Sequence, residues 1–241
     1  MSSPNQTILS IRHNEEPGDD RASRWLASHG YDVRWVAPYE GDRLKDIDHR
    51  AVAGTVIYGG PHCFDEPDVY PWLLDEADWA LRCIDAGKPV LGFCLGAQVL
   101  AGALGADVGA PDHGFHEFGY YPVRSVGKDN VIPDGLVVTQ AHFHGFRIPV
   151  GAEPLASSEL FENQAFRYGG QAFGFQFHAE IDYAGFRRWQ DADWADGYYG
   201  KPGAQNRAEQ DRLAAAHDAA QDAWFTAFLA GVFETRPGGE G

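Results

Sequence analysis

The segment PVLGFCLGAQ, residues 89–98, constrains the fold of this chain more than any other stretch. Its first half is apolar and typical of a buried strand, and its second half favours a helix. Cys94 lies between the two halves, with Gly92 and Gly96 on either side. Glycines at this spacing allow a sharp turn from which the sulfur projects, while neighbouring N–H groups point to where an oxyanion would form. The segment therefore predicts a strand, a tight turn and a helix, with either a nucleophile or a packed core cysteine at the bend.

Strands and helices alternate along the first hundred residues. The patterns predict strands at 7–11, 31–36, 54–58 and 89–93, and helices that end at Gly30, span about 71–86 and begin near 97. Strands that alternate with helices in this way indicate a doubly wound, mostly parallel sheet of the α/β class, with helices on both faces.

After Gly105 the pattern changes to short β-type segments separated by Gly, Pro and Asp. These segments lie at 118–123, 136–139, 155–157, 165–168 and 172–177, and helical stretches follow at about 183–194 and 208–233. We expect these strands to extend the same sheet with antiparallel additions. Because no linker or repeat divides the chain, we expect a single domain over residues 1–241, with a core at about 7–181 and a C-terminal helical extension at about 182–235.

Charge and cysteine usage narrow the class of partner. The net charge is −16 and Lys and Arg are not clustered, which argues against a nucleic-acid partner. Three cysteines without CxxC or zinc-finger spacing favour a reducing compartment over a disulfide scaffold. The sequence shows neither a signal-peptide pattern nor an apolar run long enough for a bilayer, so we expect a cytoplasmic protein with no membrane partner.

A second chemical pattern lies near residue 178. Aromatic residues at 173, 175 and 177 alternate with small or polar ones, which places His178 at the carboxyl end of a strand. Glu180 follows, close enough to orient the imidazole. Because the carboxyl ends of parallel strands share one edge, we expect His178 to approach Cys94 as the base that a thiol nucleophile needs. The alternative is a strand-end histidine beside a solvated glutamate.

A glycine pair follows another predicted strand, as Gly59 and Gly60 before Pro61. Acyl chemistry at a thiol creates an oxyanion that two backbone N–H groups can stabilise. One donor would come from the Gly59–Gly60 loop and the other from Leu95, the residue after Cys94. By itself the Gly-Gly-Pro sequence predicts only a turn.

Taken together, these motifs resemble the class I glutamine amidotransferases, and more closely the small members similar to the amidotransferase domain of GMP synthase. The ordered set is GGP at 59–61, YPWL at 70–73, GFCLGAQ at 92–98 and QFHAE at 176–180. The resemblance implies a flavodoxin-like sheet, with a triad and an oxyanion hole at one edge. It assigns the triad to Cys94, His178 and Glu180, the oxyanion hole to Gly60 and Leu95, and substrate contacts to Gln98 and Gly59.

The reaction that the resemblance implies is hydrolysis of a γ-carboxamide, either glutamine or a γ-glutamyl amide or peptide. A γ-glutamyl thioester would form on Cys94 and be hydrolysed by water, which releases glutamate and ammonia or an amine. We expect a small-molecule γ-glutamyl substrate, no cofactor and no metal ion.

Several positions depart from the family pattern. Ala179 stands where proline usually separates the histidine and the glutamate, which loosens the turn without removing a role. Related small proteins carry Gln-Trp-His-Gly-Asp where this chain has QAHFH at 140–144, and Tyr120 stands where tryptophan is common. We expect His142, His144 and Tyr120 to contact the substrate, so a substrate other than free glutamine stays open.

Other classes of function also stay open. His142 and His144 would share one face of a strand, and with His116 or Glu117 they could hold zinc in a metal-dependent hydrolase. The chain could also be a subunit that passes ammonia to a synthetase on another chain, because it contains no phosphate loop and no pyrophosphatase loop. A further alternative is a non-catalytic subunit whose cleft binds a metabolite or a partner synthetase, with a triad that stays silent until a partner closes the site. The aromatic stripe of the last predicted helix is either core or a homodimer contact.

Overall fold

The structure is a computed structural model that describes residues 6–15 and 17–234. The N-terminal residues 1–5, where a signal-peptide pattern would begin, and residue 235 of the predicted extension lie outside these ranges. The strands are β1 (Thr7–Ile11), β2 (Asp32–Val36), β3 (Val52–Ile57), β4 (Val90–Phe93), β5 (Val108–Gly109), β6 (Glu117–Pro122), β7 (Arg124–Ser125), β8 (Val137–His142), β9 (Gly145–Phe146), β10 (Glu153–Ser157), β11 (Ala165–Tyr168) and β12 (Ala172–Phe175). The α-helices are α1 (Arg21–Ser28), α2 (Trp72–Asp85), α3 (Leu95–Ala103), α4 (Tyr183–Gln190) and α5 (Arg207–Phe233). Short 3-10 helices lie at Pro38–Glu40, Leu44–Asp46, His49–Ala51 and Asp193–Gly197.

Eight strands form the main sheet, in the order β2-β1-β3-β4-β12-β11-β10-β7. The strands from β2 to β12 pair in parallel, and β11, β10 and β7 continue the sheet in antiparallel fashion. The predicted α/β class, with a mostly parallel sheet and antiparallel additions, is confirmed.

Helices cover both faces of this sheet. Successive residues of a strand point to opposite faces, so Ile8 and Leu9 of β1 belong to different hydrophobic cores. One core lies beneath α1 and α5, and the other lies beneath α2 and α3. The aromatic stripe of α5 belongs to the first core, where the rings of Phe225 and Phe228 pack near Phe93 and Phe173. The central strands are therefore buried on both faces, which explains their nearly continuous apolar sequences.

Four strands of the second half do not join the main sheet. β5 and β9 form one short antiparallel pair of their own. β6 and β8 pair with each other as an antiparallel ribbon, from Glu117 opposite His142 to Pro122 opposite Val137. The expectation that all strands of this half extend one sheet is therefore wrong. The reason lies in α5, whose glutamines bond to the ribbon backbone: Gln210 Nε2 donates to Phe118 O at 2.9 Å, and Gln221 Oε1 accepts from Thr139 N at 2.7 Å.

Four segments with chemical motifs meet at the carboxyl edge of the parallel strands. Tyr58 N donates to Ile11 O, and Cys94 N donates to Phe175 O, so the ends of β1, β3, β4 and β12 lie side by side. The ribbon reaches the same edge, because His178 N donates to Thr139 O at 2.8 Å. No helix within residues 6–15 and 17–234 is long and apolar enough to cross a membrane.

Candidate active site

Cys94 occupies a strained turn between β4 and α3. Its backbone has φ 49° and ψ −106°, and within the described ranges Asn130 is the only other non-glycine residue with positive φ. A Cβ atom at Gly96 would overlap the carbonyl of Ile57, and one at Gly92 would overlap the carbonyl of Gly96, so only glycine fits at both positions. Such a conformation costs on the order of 1–3 kcal/mol and persists only where its surroundings impose it. The turn presents the sulfur at the sheet edge.

His178 and Glu180 form a buried pair beside this turn. His178 Nδ1 lies 2.8 Å from Glu180 Oε1, and the ring packs edge-on against Trp189 with centroids 4.7 Å apart. Burial lowers the pKa of His178, but the charge of Glu180 and a hydrogen bond and charge interaction with Cys94 outweigh it and raise the pKa to about 10. The arrangement therefore favours the imidazolium form of His178.

The Gly59–Gly60 loop closes over both side chains. A Cβ atom on Gly59 would lie 2.7 Å from His178 Cε1 and 3.4 Å from Cys94 Cβ. Gly59 O lies 3.3 Å from His13 Nδ1, and a trans peptide directs its N–H opposite to its carbonyl, so this bond aims the Gly60 N–H away from His13. Leu95 opens α3, where the first N–H groups have no partner within the helix. Two backbone donors are thus available near Cys94.

A buried ion pair packs against the Gly59–Gly60 loop. His13 Nε2 lies 2.9 Å from Glu76 Oε2, and both side chains are fully buried. Burial lowers the pKa of His13, but the charge and hydrogen bond of Glu76 outweigh it and leave the pKa raised. A Cβ atom on Gly60 would overlap His13 Cβ, so the loop lies directly on the pair. Sequence reasoning missed His13 and Glu76, because a lone histidine and a helical glutamate carry no local signal.

Two glutamines connect to the nucleophile. Gln176 Nε2 donates to Cys94 Sγ at 3.5 Å, and Gln98 Nε2 donates to Gln176 Oε1 at 3.3 Å. Gln98 is 3% exposed and does not line the cavity described next, so it reaches the site through Gln176. Sequence reasoning missed Gln176, although its spacing from His178 and Glu180 offered a signal, because alternate positions of an extended chain share a face.

A cavity of about 360 Å³ opens at this edge. His178, Glu180, Gly59 and Gly60 contribute to its walls. Its aromatic lining consists of Trp35, Tyr58, Phe143, Trp189, Trp194 and Tyr198, and its charged lining also includes Arg12, Asp19, Asp20 and Arg188. Sequence reasoning did not single out the aromatic residues, because they come from segments far apart along the chain.

Comparison with known proteins assigns this chain to a family. A sequence model described as glutamine amidotransferase class-I matches residues 22–185, more than half of the chain. The chain belongs to this family. The resemblance inferred from the four motifs is thereby confirmed.

Individual relatives are similar over different shares of their length. The glutamine amidotransferase-like protein YfeJ of Salmonella typhimurium is 29% identical over 169 residues, which cover 66% of this chain and 69% of YfeJ. The glutamine-hydrolysing GMP synthase of Aeropyrum pernix is 34% identical over 151 residues, which cover 61% of this chain but only 28% of the synthase. The crystal structure of a glutamine amidotransferase from Thermotoga maritima matches with a TM-score of 0.82 and 26% identity, covering 96% of this chain and 99% of that one.

Two of the predicted substrate residues on the ribbon of this class I amidotransferase do not line the cavity. His142 is buried, with Nε2 2.9 Å from Glu117 Oε2 and Nδ1 2.9 Å from His144 O. Tyr120 is buried against Phe186, and its hydroxyl donates to Asp218. Neither residue lines the cavity, whereas Ala141 does, and Ala141 O lies 3.9 Å from Cys94 Sγ. Alternation along β8 explains the position of His142, since Ala141 and His142 face opposite sides. Tyr120, opposite Thr139, shares the face of Ala141 and is instead covered by Phe186 of α4.

The structure does not arrange the histidines of this ribbon as the metal-site alternative requires. β8 ends at His142, so His142 and His144 do not share a strand face as expected, and both ring nitrogens of His142 are already engaged. His144 instead lies near Asp65, with Nδ1 3.7 Å from Oδ1. Within the part of the chain that the structure describes, one group with metal-ligand spacing is found, in which ligand atoms of Cys63, Asp65 and His144 lie within 4.8 Å of one another.

Proposed function

We propose that this chain hydrolyses a γ-carboxamide, of glutamine or of a γ-glutamyl amide, through a γ-glutamyl thioester on Cys94. The observation that carries the proposal is the strained Cys94 turn beside a His178 that is bonded to Glu180 and whose pKa Glu180 and Cys94 raise. A nucleophile, a base and an orienting group in contact are the minimum for covalent acyl transfer.

The proposed roles follow from the chemistry of each group. Cys94 Sγ attacks the γ-carbonyl carbon, and the resulting oxyanion accepts hydrogen bonds from the N–H groups of Gly60 and Leu95. The carbon–nitrogen bond then breaks as His178 gives its proton to the departing nitrogen. Water, deprotonated by His178, attacks the thioester and releases glutamate and the free thiol.

The charge state that this reaction needs is consistent with the environment of His178. Because Glu180 and Cys94 raise the pKa of His178, the proton lost by the thiol stays on the imidazole until the leaving nitrogen takes it. Cys63, Cys83 and Cys94 are all free thiols, which suits a reducing compartment such as the cytoplasm.

The test is turnover by the wild type and by Cys94→Ala with glutamine and a series of γ-glutamyl amides. We expect the wild type to release glutamate and to carry a γ-glutamyl adduct detectable by mass spectrometry, and Cys94→Ala to show neither. Cys83→Ala is the matched control, because Cys83 is buried in the core beneath α2 with its thiol against Thr55, and no triad residue contacts it. Turnover that survives in Cys94→Ala would refute the mechanism.

A second candidate function is that of an amidotransferase subunit that supplies ammonia to a synthetase on another chain. It is favoured by the similarity to the glutamine-hydrolysing GMP synthase, of which this chain spans 28%. In that case the isolated chain would form little thioester with glutamine, and addition of the synthetase would stimulate glutamate release. Full glutaminase or amidase activity of the isolated chain would argue against this candidate.

A further inference from the structure

The cavity beside His178 is larger than ammonia requires. A small molecule such as water takes up about 30 Å³ of liquid, whereas the cavity measures about 360 Å³. This volume falls within the range of roughly 300–1,000 Å³ that is typical of small-molecule sites. The size alone leaves room for a leaving group that is much bulkier than ammonia.

The position of the cavity relates it to the leaving group. In the proposed mechanism His178 gives a proton to the departing nitrogen, so the rest of that group must lie next to the imidazole. His178 and the Gly59–Gly60 loop contribute to the cavity walls, together with Ala141, whose carbonyl lies near Cys94 Sγ. Cys94 itself is not among the cavity walls, but the cavity adjoins the position of the scissile bond through Ala141 and lies on the side of the proton donor.

An aromatic wall runs from His178 to the mouth of this cavity. We define the wall as Trp189, Trp194, Tyr198 and Phe143. Its rings follow one another at centroid distances of 4.7 Å from His178 to Trp189, then 6.0, 5.8 and 6.2 Å along the wall. Trp194 and Phe143 are 46% and 39% exposed, although large aromatic side chains normally gain from burial. An apolar group placed against the wall would cover both.

The opposite side adds further aromatic surface and a carboxylate. Trp35 and Tyr58 line the cavity with ring centroids 5.1 Å apart. Asp20 also contributes to the walls, and it accepts hydrogen bonds from Ser23 and Tyr58, which are neutral groups. The aromatic faces suit the ring of an arylalkyl amine, and the carboxylate suits the ammonium group that the neutral leaving amine becomes when it takes a second proton from water.

The geometry points to a leaving-group subsite for an arylalkyl amine, which makes γ-glutamyl amides of such amines the preferred substrate class. This inference rests on the proposed hydrolase function. It extends that function by naming the amine, which the triad by itself leaves open.

The test compares γ-glutamyl phenethylamide with γ-glutamyl ethylamide, which share the same amide–methylene linkage. Because burial of an aromatic ring contributes about 1.5–3 kcal/mol, we expect kcat/KM to be at least about tenfold higher for the phenethylamide. In Trp194→Ala the ratio of the two kcat/KM values should fall toward one. Val150→Ala is the control that keeps the ratio, because Val150 is an exposed apolar residue outside the cavity walls.

The outcomes separate this inference from the function on which it rests. Equal kcat/KM values for the two amides, or a strong preference for glutamine over both, would overturn the subsite while Cys94-dependent hydrolysis stands. Absence of hydrolysis and of any thioester would overturn both. Product inhibition tests the subsite without a variant. We expect free phenethylamine to inhibit the wild type with an inhibition constant at least about tenfold lower than that of ethylamine. Equal inhibition by the two amines would contradict the subsite.

Discussion

The pairs His178–Glu180 and His142–Glu117 bring the same two side chains together in different surroundings. In both, a ring nitrogen lies close to a buried carboxylate oxygen, at 2.8 Å in the first pair and 2.9 Å in the second. The second ring nitrogen of His142 is bonded to the carbonyl of His144, whereas the second group that raises the pKa of His178 is Cys94. The two pairs therefore differ in what lies beyond the histidine.

The carboxylates differ in the same way. Glu117 also accepts hydrogen bonds from Ser158 Oγ and Gln164 Nε2, both at 2.7 Å. Glu180 Oε2 is buried and has no hydrogen-bond partner among the described residues. In the His142–Glu117 pair, both ring nitrogens and both carboxylate oxygens are already bonded within the protein. A buried pair is suited to catalysis when it keeps spare hydrogen-bonding capacity next to a nucleophile.

A third pair, His13–Glu76, lies between these two cases. It is as buried as His142–Glu117, yet one of its ring nitrogens faces the carbonyl of Gly59 in the loop over Cys94. Its contribution to the proposed chemistry is therefore indirect, through the orientation of one peptide group. The three pairs therefore differ in the group that lies beyond the histidine, which is Cys94, the carbonyl of Gly59 or the carbonyl of His144.

Among the variants that test the comparison of the two pairs, His178→Asn should have the largest effect on activity. The amide keeps a polar group in the site but cannot exchange a proton, so kcat for a γ-glutamyl amide should fall about 10²–10⁴-fold. The measurement is glutamate release per folded protein, with folding followed by circular dichroism. His217→Asn is the matched control, because His217 lies on α5 outside the cavity walls. A kcat close to that of the wild type would remove His178 from the proposed mechanism.

The parallel half of the fold could be predicted from sequence because its signals are local. The apolar runs that became β1, β3 and β4 are each bounded by turn or helix signals, and parallel strands bring their carboxyl ends to one edge by rule. Short motifs such as the Cys94 turn and the segment from 172 to 180 therefore predicted which side chains would meet. The structure brings Cys94, His178, Glu180 and the Gly59–Gly60 loop together at this edge.

The ribbon and the cavity walls could not be predicted in the same way, because their positions depend on distant partners. β6 and β8 leave the main sheet since glutamines of α5 bond to their backbone, and glutamine on a helix carries no such signal. The positions of the Tyr120 and His142 side chains depend on how the same ribbon packs against the helices. Trp189 and Trp194 reach the cavity from α4 and the 3-10 helix after it, where their spacing indicates only an apolar helix face.

The second prediction tests the other pair, through His142→Asn. Loss of the imidazole leaves the Glu117 charge buried without its partner, so the free energy of unfolding should fall by about 3–5 kcal/mol. Because His142 faces away from the cavity, kcat per folded molecule should change far less than in His178→Asn. Denaturant unfolding and glutamate release provide the two measurements, and His217→Asn should stay within about 0.5 kcal/mol of the wild type. A large loss of kcat with unchanged stability would place His142 in the active site and break the comparison.

The smallest expected effect concerns the pH dependence that Glu180 gives to His178. The pKa of His178 is raised from 6.5 to about 10 in the folded protein, despite the opposing effect of burial. A raised pKa means that this interaction stabilises the fold fully below pH 6.5 and that the stabilisation is lost as the pH rises through about 10. Activity that needs a protonated His178 should decline over the same alkaline range.

Glu180→Gln removes the charge but keeps an oxygen that can accept the His178 hydrogen bond. The pKa of His178 should therefore fall, and the alkaline limb of the kcat profile should move toward neutral pH by about one to three pH units. Rates of a γ-glutamyl amide between neutral and strongly alkaline pH give the measurement, and the exposed Glu162→Gln serves as the charge-matched control. If both variants keep the wild-type limb, Glu180 does not set the protonation of His178. The two histidine–glutamate pairs would then differ in position alone, and the spare capacity of Glu180 would have no part in the chemistry.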